Sequence, residues 1–538
     1  MRKIKKLCSL LLVASLVVSM AACGKKENTG NNTGNTATPT ESTEATATPT
    51  EAAAATPDIS KKADLVFYVM GDAPKDEQAV EDAINKILLE KANATIDFQF
   101  STWTDWSQKY NLELTSGSAD LIYTANWLNY ATLANSGAFA ELTDDMIKTD
   151  APNIAKSMDP SLLDQMKVGG KTYGVPNTWP EYTINGISYR EDLRAKYNLP
   201  VPNTVENLEA YLLGIKQNDP KQGLLSVTTG ESTGLQVAFD AANILSFKYP
   251  WVTNNGLPYG LAANYDTPSD VYDYWNSDDF VTDMKLMKKF ADEGFWSRSA
   301  LSDTNDSEAY KNGLCVAVVA GQNPNKNITA IGDFAKDHPD WKSEFVAYGE
   351  TTGVVYPAHA TQNGTSVLAS SKNQDRALMV LDLLLYDKEL NDLVEYGIKG
   401  THYDVDANGT YKNLSTDFPY EGFNTWALRN GDYKLPQESD TILNQMFTKY
   451  SELAAKTKFP NVNIYSGFAE DYSQYEVERS AVSDVMRQYL APLQAGLVSD
   501  VDKAVAEFRE KVKDAGLETC QEQFKTQWAA YCDEHGYK

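Results

Sequence analysis

The sequence predicts an α/β protein that is divided into lobes, and three observations favour this fold class. Strand-like and helix-like segments alternate from residue 61 onward, which is typical of a parallel sheet covered by helices. The stretch from residue 61 to residue 538 is too long for one compact core, so two or more lobes are expected. No apolar stretch in this part of the chain approaches the length of a membrane-spanning helix.

The first predicted elements are three strands separated by two helices. The strands are apolar or alternate apolar with polar residues, and they cover residues 64–70, 95–100 and 119–123. The helices have apolar residues at helical spacing, and they cover residues 76–92 and 106–114. Ligands of parallel sheets bind beyond the carboxyl ends of the strands, so the loops that start at Ser101 and Thr124 are candidates for a binding site.

The N-terminus, residues 1–22, is predicted to be a secretory signal peptide. It combines a basic start, an apolar run from Leu7 to Met20 and small residues before Cys23. The stretch Met20-Ala-Ala-Cys23-Gly24 resembles a bacterial lipobox, with Met20 where leucine is usual. The resemblance implies that Cys23 receives a diacylglycerol and a further acyl chain such as palmitate, and that the mature protein is held at the membrane.

Residues 23–60 are predicted to form a disordered tether. They consist mostly of Thr, Asn, Ala, Pro, Glu and Gly, with almost no large apolar side chains. Such a segment buries too little apolar surface to offset the entropy lost on ordering. The tether is expected to hold the folded body away from the membrane.

Charge and motif content exclude several classes of function. The formal net charge is −26, which argues against nucleic acid as a partner. The four histidines are scattered without ligand spacing, so no metal site and no cofactor are predicted. The stretch Asp404–Gly409 starts like a calcium loop, but Ser415 stands where a bidentate Glu is expected, so a hairpin turn is favoured. No nucleophile elbow, zinc-protease motif or phosphate loop is present, so no catalytic residues are predicted.

Two cysteines near the C-terminus, Cys520 and Cys532, are predicted to be free thiols. If both lie on one continuous helix, twelve residues separate them by about 18 Å. A disulfide requires Cα atoms within about 7 Å. Cys315 lies in an apolar run and is predicted to be a buried core residue.

Several ordered blocks resemble the extracellular solute-binding family that includes maltose-binding protein. The blocks are residues 170–176 (GKTYGVP), 186–192 (GISYRED), 202–208 (PNTVENL), 312–318 (NGLCVAV) and 363–369 (NGTSVLA). In the third block, Thr204 is placed to cap a helix whose buried face carries Leu208, Leu212 and Ile215. Further on, residues 467–478 and 489–496 look like an uncharacterised C-terminal domain found on lipoproteins of this group.

The resemblance implies a two-lobed periplasmic-binding-protein-like fold with hinge-linked, discontinuous lobes. The first two crossings between lobes are expected near residues 182–186 and 349–354, and a third beyond residue 400. The expected division is residues 61–183 and 355–400 for lobe one, 185–350 for lobe two, and 401–538 for a C-terminal segment that completes the lobes.

The implied function is that of a substrate-binding lipoprotein. It would capture a sugar, such as an oligosaccharide, and deliver it to the permease subunits of an ABC importer. The protein is expected to be a monomer on the extracellular face of the cell membrane, and it is not expected to be an enzyme. Two alternatives remain open: a peptide-binding lipoprotein of the same fold, and a secreted glycoside hydrolase.

A sugar site needs aromatic rings for stacking and polar side chains for the hydroxyl groups. The candidates after the lobe-one strands are Trp103, Trp106, Asn126 and Trp127. The candidates at the first crossing and beyond the second are Trp179, Glu181, Tyr182, Tyr356 and Asn363. The candidates that lobe two would add are Trp251, Trp275 and Trp426.

Overall fold

A computed structural model describes most of the chain after the predicted signal peptide and tether. The described residues are 58–102, 106–182, 184–228, 238–302, 306–319, 321–423 and 426–538. The predicted lipid site Cys23 and the candidate Trp103 lie outside these ranges. Within them, no helix is both long enough and apolar enough to span a bilayer.

The described residues form strands and helices that alternate along much of the chain. The strands are β1 (Ala63–Met70), β2 (Ala94–Ser101), β3 (Leu121–Thr124), β4 (Lys167–Val168), β5 (Lys171–Thr172), β6 (Val175–Pro176), β7 (Gly186–Arg190), β8 (Leu225–Ser226), β9 (Leu261–Ala262), β10 (Tyr272–Asp273), β11 (Ala317–Val318), β12 (Ser343–Ala347), β13 (Gly364–Val367), β14 (Tyr403–Val405) and β15 (Tyr411–Asn413). The α-helices are α1 (Glu77–Ala92), α2 (Trp106–Ser116), α3 (Tyr130–Asn135), α4 (Asp144–Asp150), α5 (Pro152–Ser157), α6 (Pro160–Gln165), α7 (Glu191–Lys196), α8 (Val205–Asn218), α9 (Asp278–Asp292), α10 (Asp306–Lys311), α11 (Pro324–Asp337), α12 (Tyr348–Thr352), α13 (Gln374–Tyr386), α14 (Lys388–Tyr396), α15 (Asp440–Ala454), α16 (Glu476–Val485), α17 (Ala491–Gln494), α18 (Val501–Asp514) and α19 (Leu517–His535).

The first sheet has the strand order β2-β1-β3-β13-β6. Strands β2 and β3 both pair in parallel with β1, while β13 runs antiparallel to β3 and β6. Its core contains the buried face of α1, with Val80, Ile84 and Leu88 fully shielded from solvent. The helix and strand pattern predicted from the first part of the body is therefore confirmed, and so is the α/β fold class.

The second sheet has the strand order β12-β7-β11-β8. Strand β7 is antiparallel to both β12 and β11, and β11 is parallel to β8. Helix α8 packs Leu208, Leu212 and Ile215 into the core beside this sheet, and the side chain of Thr204 accepts a hydrogen bond from the Asn207 N–H at its start. The predicted cap and buried face of this helix are thus confirmed.

The chain passes between the two sheets three times. It leaves the first sheet after β6 and enters the second at β7, and it returns between β12 and β13. It passes again between Leu428, in the core of the first sheet, and Ile464, in the core of the second. Residues from all three passages form one apolar cluster, which we call the hinge cluster: Tyr182, Ile184, Phe345, Ala347, Val355, Met446, Phe447, Tyr450, Leu453 and Ala454.

The C-terminal part of the chain is built mainly onto the core of the second sheet. Helices α18 and α19 bury Phe508, Phe524 and Trp528 there. Cys520 and Cys532 both lie on α19, and both are free and buried, as is Cys315. These three predictions about the cysteines are confirmed.

The segment that starts like a calcium loop forms a hairpin. Strands β14 and β15 pair in antiparallel register, and the Asp406 carboxylate accepts hydrogen bonds from the Asn408 and Thr410 backbone N–H groups in the turn between them. This is the hairpin turn that the sequence favours. Within the described ranges no cluster of three or more His, Cys, Asp or Glu side chains is suited to hold a metal ion.

Candidate functional site

A cavity of about 360 Å³, here called cavity one, lies beyond the carboxyl end of β3. Residues 126–132 and 165–168 form its wall on the side of the first sheet. Residues 253–255, from the part of the chain around the second sheet, and residues 463–479 form the facing wall. The cavity is therefore walled by both halves of the fold, at the edge of the sheet where ligands of α/β proteins bind.

Asn126 and Trp127 follow β3 directly and reach this cavity, as their position in the sequence predicts. The Asn126 Nδ2 group donates a hydrogen bond to Ser466 Oγ at 3.1 Å, which links the two walls. The Trp127 ring makes an edge contact with Trp106 at 6.1 Å, and its Nε1–H donates to the Gln362 carbonyl at 3.3 Å. The orientation of Trp127 is thus held by both an aromatic and a polar contact.

The lining of cavity one is rich in amides and aromatic rings and poor in carboxylates. The amide side chains are Asn126, Asn129, Gln165, Asn185, Asn254, Asn255, Gln362 and Asn463. The aromatic side chains are Trp127, Tyr130, Tyr356, Tyr465, Phe468 and Tyr472. Among the described lining residues, Glu470 is the single carboxylate, and Lys167 and Arg479 are the cations. Amides donate and accept hydrogen bonds without a net charge, which suits a ligand covered with hydroxyl groups.

A second cavity of about 820 Å³, cavity two, adjoins the first. The two share Gln165, Lys167, Gln362, Asn463 and Gly467 in their linings. Trp179 lies on the wall of cavity two with Lys434 Nζ 4.0 Å from its ring centroid. His359 also faces this cavity, and burial lowers its pKa to about 4, so its imidazole is neutral at pH 7.

Glu181 lines cavity two, but both of its carboxylate oxygens are engaged by the protein. Oε1 accepts hydrogen bonds from Arg429 Nη1 at 2.6 Å and from Asn325 Nδ2 at 3.1 Å. Oε2 accepts one from Asn363 Nδ2 at 3.1 Å. Asn325 lies on α11, in the half that contains the second sheet, and Asn363 directly precedes β13 of the first sheet. The Glu181 carboxylate therefore connects the first passage between the sheets to both halves of the fold.

The remaining candidates from the sequence are distributed between the cavities, their surroundings and the core. Tyr356 lines cavity one, while Asn363 and Tyr182 line cavity two, and Tyr182 also packs on Phe447 and Tyr450 of the hinge cluster. Trp106 and Trp426 lie behind the walls, where they contact the rings of Trp127 and Tyr123.

Trp251 and Trp275 lie in the core of the second sheet and contribute to neither cavity. Trp251 stacks on Tyr249 at 4.3 Å and donates a hydrogen bond to the Tyr272 hydroxyl, while Trp275 packs against Phe508 at 5.0 Å. No observation on these residues tests a ligand role, so the role expected for them stays a prediction. The site proposed below does not use them.

Sequence reasoning missed most of the wall formed by the second half. The missed residues include Asn254, Asn255, Asn463, Ser466, Glu470, Tyr472 and Arg479. The polar run Thr253-Asn-Asn255 and the block at residues 467–478 were visible in the sequence, but neither has a periodicity that indicates a cavity. Tertiary packing alone brings them into the lining of cavity one together with Trp127.

The chain matches two family descriptions. Residues 71–389, more than half of the chain, match "Bacterial extracellular solute-binding protein", and residues 464–533 match a "Domain of unknown function (DUF3502)". A carbohydrate ABC transporter substrate-binding protein of Streptococcus pneumoniae serotype 4 is 25% identical over 512 residues, covering 94% of this chain and 93% of that protein.

Solved structures of solute-binding proteins share the fold. An N-glycan transport solute binding protein from Streptococcus pneumoniae, in complex with Man1GlcNAc, superposes with a TM-score of 0.67 at 20% identity, over 88% of this chain and 100% of that one. An extracellular solute-binding protein from Bifidobacterium longum subsp. infantis gives a TM-score of 0.61 at 17% identity, over 87% of this chain and 98% of that one. With the fold, the cleft and the match over residues 71–389 in agreement, the chain belongs to the bacterial extracellular solute-binding protein family.

Proposed function

We propose that this protein captures an oligosaccharide in cavities one and two and delivers it to the permease subunits of an ABC importer. The observation that carries the proposal is the lining of cavity one, which combines eight amide side chains with six aromatic rings between the two halves of the fold. Aromatic faces bind the apolar faces of sugar rings, and amides bind the hydroxyl groups. The 25% identical relative is named as a carbohydrate ABC transporter substrate-binding protein, and structural neighbours were crystallised with Man1GlcNAc and Man5GlcNAc, which supports an oligosaccharide ligand here.

The proposed site consists of Asn126, Trp127 and Tyr356 in cavity one and Trp179 and Asn363 in cavity two. Glu181 acts in this proposal as a positioning residue, because its oxygens are already bound by Arg429, Asn325 and Asn363. Tyr182 belongs to the hinge cluster. Its role in this proposal is in the closure of the two halves and not in contact with the sugar.

The lobes are proposed to divide as the sequence predicts. Residues 61–183 and 355–400 contain all strands of the first sheet, and residues 185–350 contain all strands of the second. Residues 401–538 contribute Phe418, Phe423 and Leu428 to the core of the first sheet and residues from Ile464 onward to the core of the second, so they complete both lobes.

The protein is proposed to act as a monomer anchored through a lipid on Cys23 at the extracellular face of the membrane. The lipobox-like stretch around Cys23 and the tether-like composition of residues 23–60 support this placement. Expression of the full chain with radioactive palmitate tests it: the wild type should carry label, and Cys23→Ser should not. Equal labelling of both chains would contradict the proposal.

Two alternatives are disfavoured by the charges in cavity one. A peptide ligand needs charged partners for its termini, whereas most polar groups in this lining are neutral amides. A glycoside hydrolase needs two carboxylates that flank the bond, and the described lining of cavity one offers only Glu470. Of the four carboxylates that line cavity two, Asp159, Asp164, Glu181 and Asp432, Glu181 is paired with Arg429 and Asp164 with Lys167. The protein is therefore proposed to bind its ligand without chemical change.

The test is calorimetry and thermal melting of the purified full chain with neutral oligosaccharides, including Man1GlcNAc and Man5GlcNAc, and with short peptides. A ligand at about one hundred times its Kd adds about 2.7 kcal/mol to the free energy of unfolding, which raises Tm measurably. Mass spectrometry of the recovered sugar should show an unchanged mass. Binding of peptides without binding of any sugar would overturn the ligand class, and shortened sugars would overturn the non-catalytic role.

A further inference from the structure

The segment at residues 463–479 forms one wall of cavity one, and it overlaps the start of the domain of unknown function. This wall is firmly supported from behind. Phe468 packs edge-on against Phe524 at 5.4 Å and Trp528 at 5.2 Å, both on α19. The Gln527 side chain exchanges two hydrogen bonds with the backbone of Asp471, at 2.7 and 2.9 Å. A supported wall of this kind holds its side chains in place before a ligand arrives.

Arg479 projects from the first turn of α16 onto this wall. Its guanidinium carbon lies 4.1 Å from the centroid of the Tyr472 ring. Its Nε atom is buried, and among the described residues it has no hydrogen-bond partner. A buried N–H group without a partner is costly, so an arginine in this state at a cavity wall has donor capacity that a ligand can use.

Glu470 is the neighbouring carboxylate on the same wall. Its Oε1 atom accepts hydrogen bonds from the hydroxyls of Tyr259 and Tyr475, the second at 2.9 Å. Its Oε2 atom accepts none from the described residues, so it retains acceptor capacity. Burial raises the pKa of the Glu470 carboxyl, while the hydrogen bonds from Tyr259 and Tyr475 and the nearby positive charge of Arg479 act in the opposite direction.

We propose that Arg479 and Glu470 form a subsite that binds two hydroxyl groups of a neutral sugar residue beside Tyr472. The guanidinium donates to one hydroxyl oxygen, and Glu470 Oε2 accepts from the other hydroxyl. Arg479 attracts a ligand carboxylate and Glu470 repels it, so the pair as a whole suits a neutral sugar residue. This inference rests on the proposed function, and it assigns ligand recognition to the domain of unknown function.

The test compares calorimetric affinities of full-length variants for the tightest neutral oligosaccharide found for the wild type. Arg479→Met keeps an unbranched apolar side chain but removes all donors, and it should lower affinity about 10- to 100-fold. Arg479→Lys keeps the charge without the planar fork and should lose less. Arg487→Met, an exposed arginine eight residues further along, is the matched control and should bind like the wild type.

The possible outcomes separate the two proposals. Wild-type affinity in both Arg479 variants would overturn the subsite and leave the proposed function standing. Equal losses in Arg479→Met and Arg487→Met would also overturn it, because the effect would not be local.

Tighter binding of a glucuronate-bearing analogue than of its neutral parent would overturn the neutral selectivity. Absence of sugar binding by the wild type would overturn the proposed function and this inference with it. Cooperative thermal melting of unliganded Arg479→Met should show that the variant is folded, so that its affinity reports on the subsite.

Discussion

At the scale of single residues, the position of Trp127 follows from one short stretch of sequence. Strand β3 is fully buried over residues 121–124, and the chain turns at once into a single helical turn at Asn126–Leu128. Asn129 then takes a left-handed conformation with φ of 60°, which separates this turn from α3. The sharp turn brings the indole to the cavity wall, where Trp106 and Gln362 hold it.

Replacement of Trp127 by alanine should lower sugar affinity about 10- to 100-fold, because a fully packed aromatic anchor contributes about 1.5 to 3 kcal/mol to binding. Trp127→Phe retains a ring and should show a smaller loss. Calorimetry on the two variants and the wild type measures both effects. If the alanine variant binds as tightly as the wild type, Trp127 has no role in stacking.

Asp150 offers a prediction about pH at a site remote from the cavities. It is the last residue of α4, and burial together with the nearby charge of Asp375 raises its pKa to about 6. The folded protein therefore binds this proton more tightly than the unfolded chain. Stability is favoured at low pH and is lost as the pH rises from about 3.8 to about 6.

Asp150→Asn removes the ionisation and should stabilise the protein at neutral pH. The gain in free energy of unfolding should be about 1 to 2 kcal/mol larger at pH 7.5 than at pH 4.5. Urea unfolding of wild type and variant at the two pH values measures the difference. A gain that is independent of pH would show that the carboxylate does not titrate as argued.

The sequence was informative at the residue scale where one local rule decides the outcome. Asn126 and Trp127 could be predicted to lie near a cleft because parallel strands share the edge at which they end, and both line cavity one. Glu470 and Arg479 were missed because they lie about 340 residues further along and reach the same cavity through tertiary packing alone. Trp251 and Trp275 were candidates as large aromatic residues, yet such residues are also common core-forming residues.

At the scale of elements, α19 supports the wall of cavity one that residues 463–479 form. Its buried face recurs every three or four residues and consists of Leu517, the adjacent pair Cys520 and Gln521, Phe524, Trp528 and Cys532. Gln521 donates to the Tyr259 carbonyl at 3.0 Å, and Trp528 Nε1–H donates to the Pro268 carbonyl at 2.7 Å. The helix thereby joins the C-terminal segment to the core of the second sheet.

Gln527 connects this helix to the loop that carries Glu470. Gln527→Leu removes both bonds to the Asp471 backbone, and it should lower the free energy of unfolding by about 1 to 2 kcal/mol. Sugar affinity should fall several-fold, since Glu470 loses its fixed position. Gln523→Leu, an exposed change one turn earlier on the same helix, is the control. Similar effects of the two changes in melting and calorimetry would contradict a positioning role for Gln527.

The two cysteines of α19 should be chemically inert in the native protein. Burial raises the pKa of Cys520 to about 12 and that of Cys532 to about 11, so almost no reactive thiolate is present at pH 8. Iodoacetamide at pH 8 should leave both unmodified in the folded chain and modify both in concentrated guanidinium, as read by peptide mass spectrometry. Rapid modification of either residue without denaturant would indicate that α19 opens locally.

At the scale of the whole molecule, the three passages between the sheets meet in the hinge cluster. Tyr182 contributes from the first passage, Val355 from the second and Tyr450 from the third. Glu350 accepts hydrogen bonds from Lys449 and from the Tyr450 hydroxyl, which ties the second passage to the third. If the two halves close on a ligand, a cluster of this kind is where small backbone changes in a few residues are expected to let the two cores move relative to each other.

The first two passages between the sheets could be anticipated because blocks that resemble a known family occur in order along the sequence. The third crossing could not be placed, because α15 and the loops around it have no distinctive motif. Its position depends on Met446, Phe447 and Tyr450 packing against the other two passages, which is a tertiary property.

Ligand binding should shift the molecule toward a closed form, because cavity one is walled by both halves and a bridging sugar binds best when the walls are close. Small-angle X-ray scattering of the full chain should therefore give a smaller radius of gyration at saturating sugar than without it. Trp127→Ala, examined at the same sugar concentration below its own saturation, should show a smaller decrease. The hydrogen bond between Asn126 and Ser466 spans the two walls of cavity one. Ser466→Ala should therefore weaken closure and lower sugar affinity about fivefold, because one hydrogen bond contributes about 1 kcal/mol. An unchanged radius of gyration in saturated wild type would mean that the sugar enters a cleft that is already closed, and that recognition does not depend on the hinge.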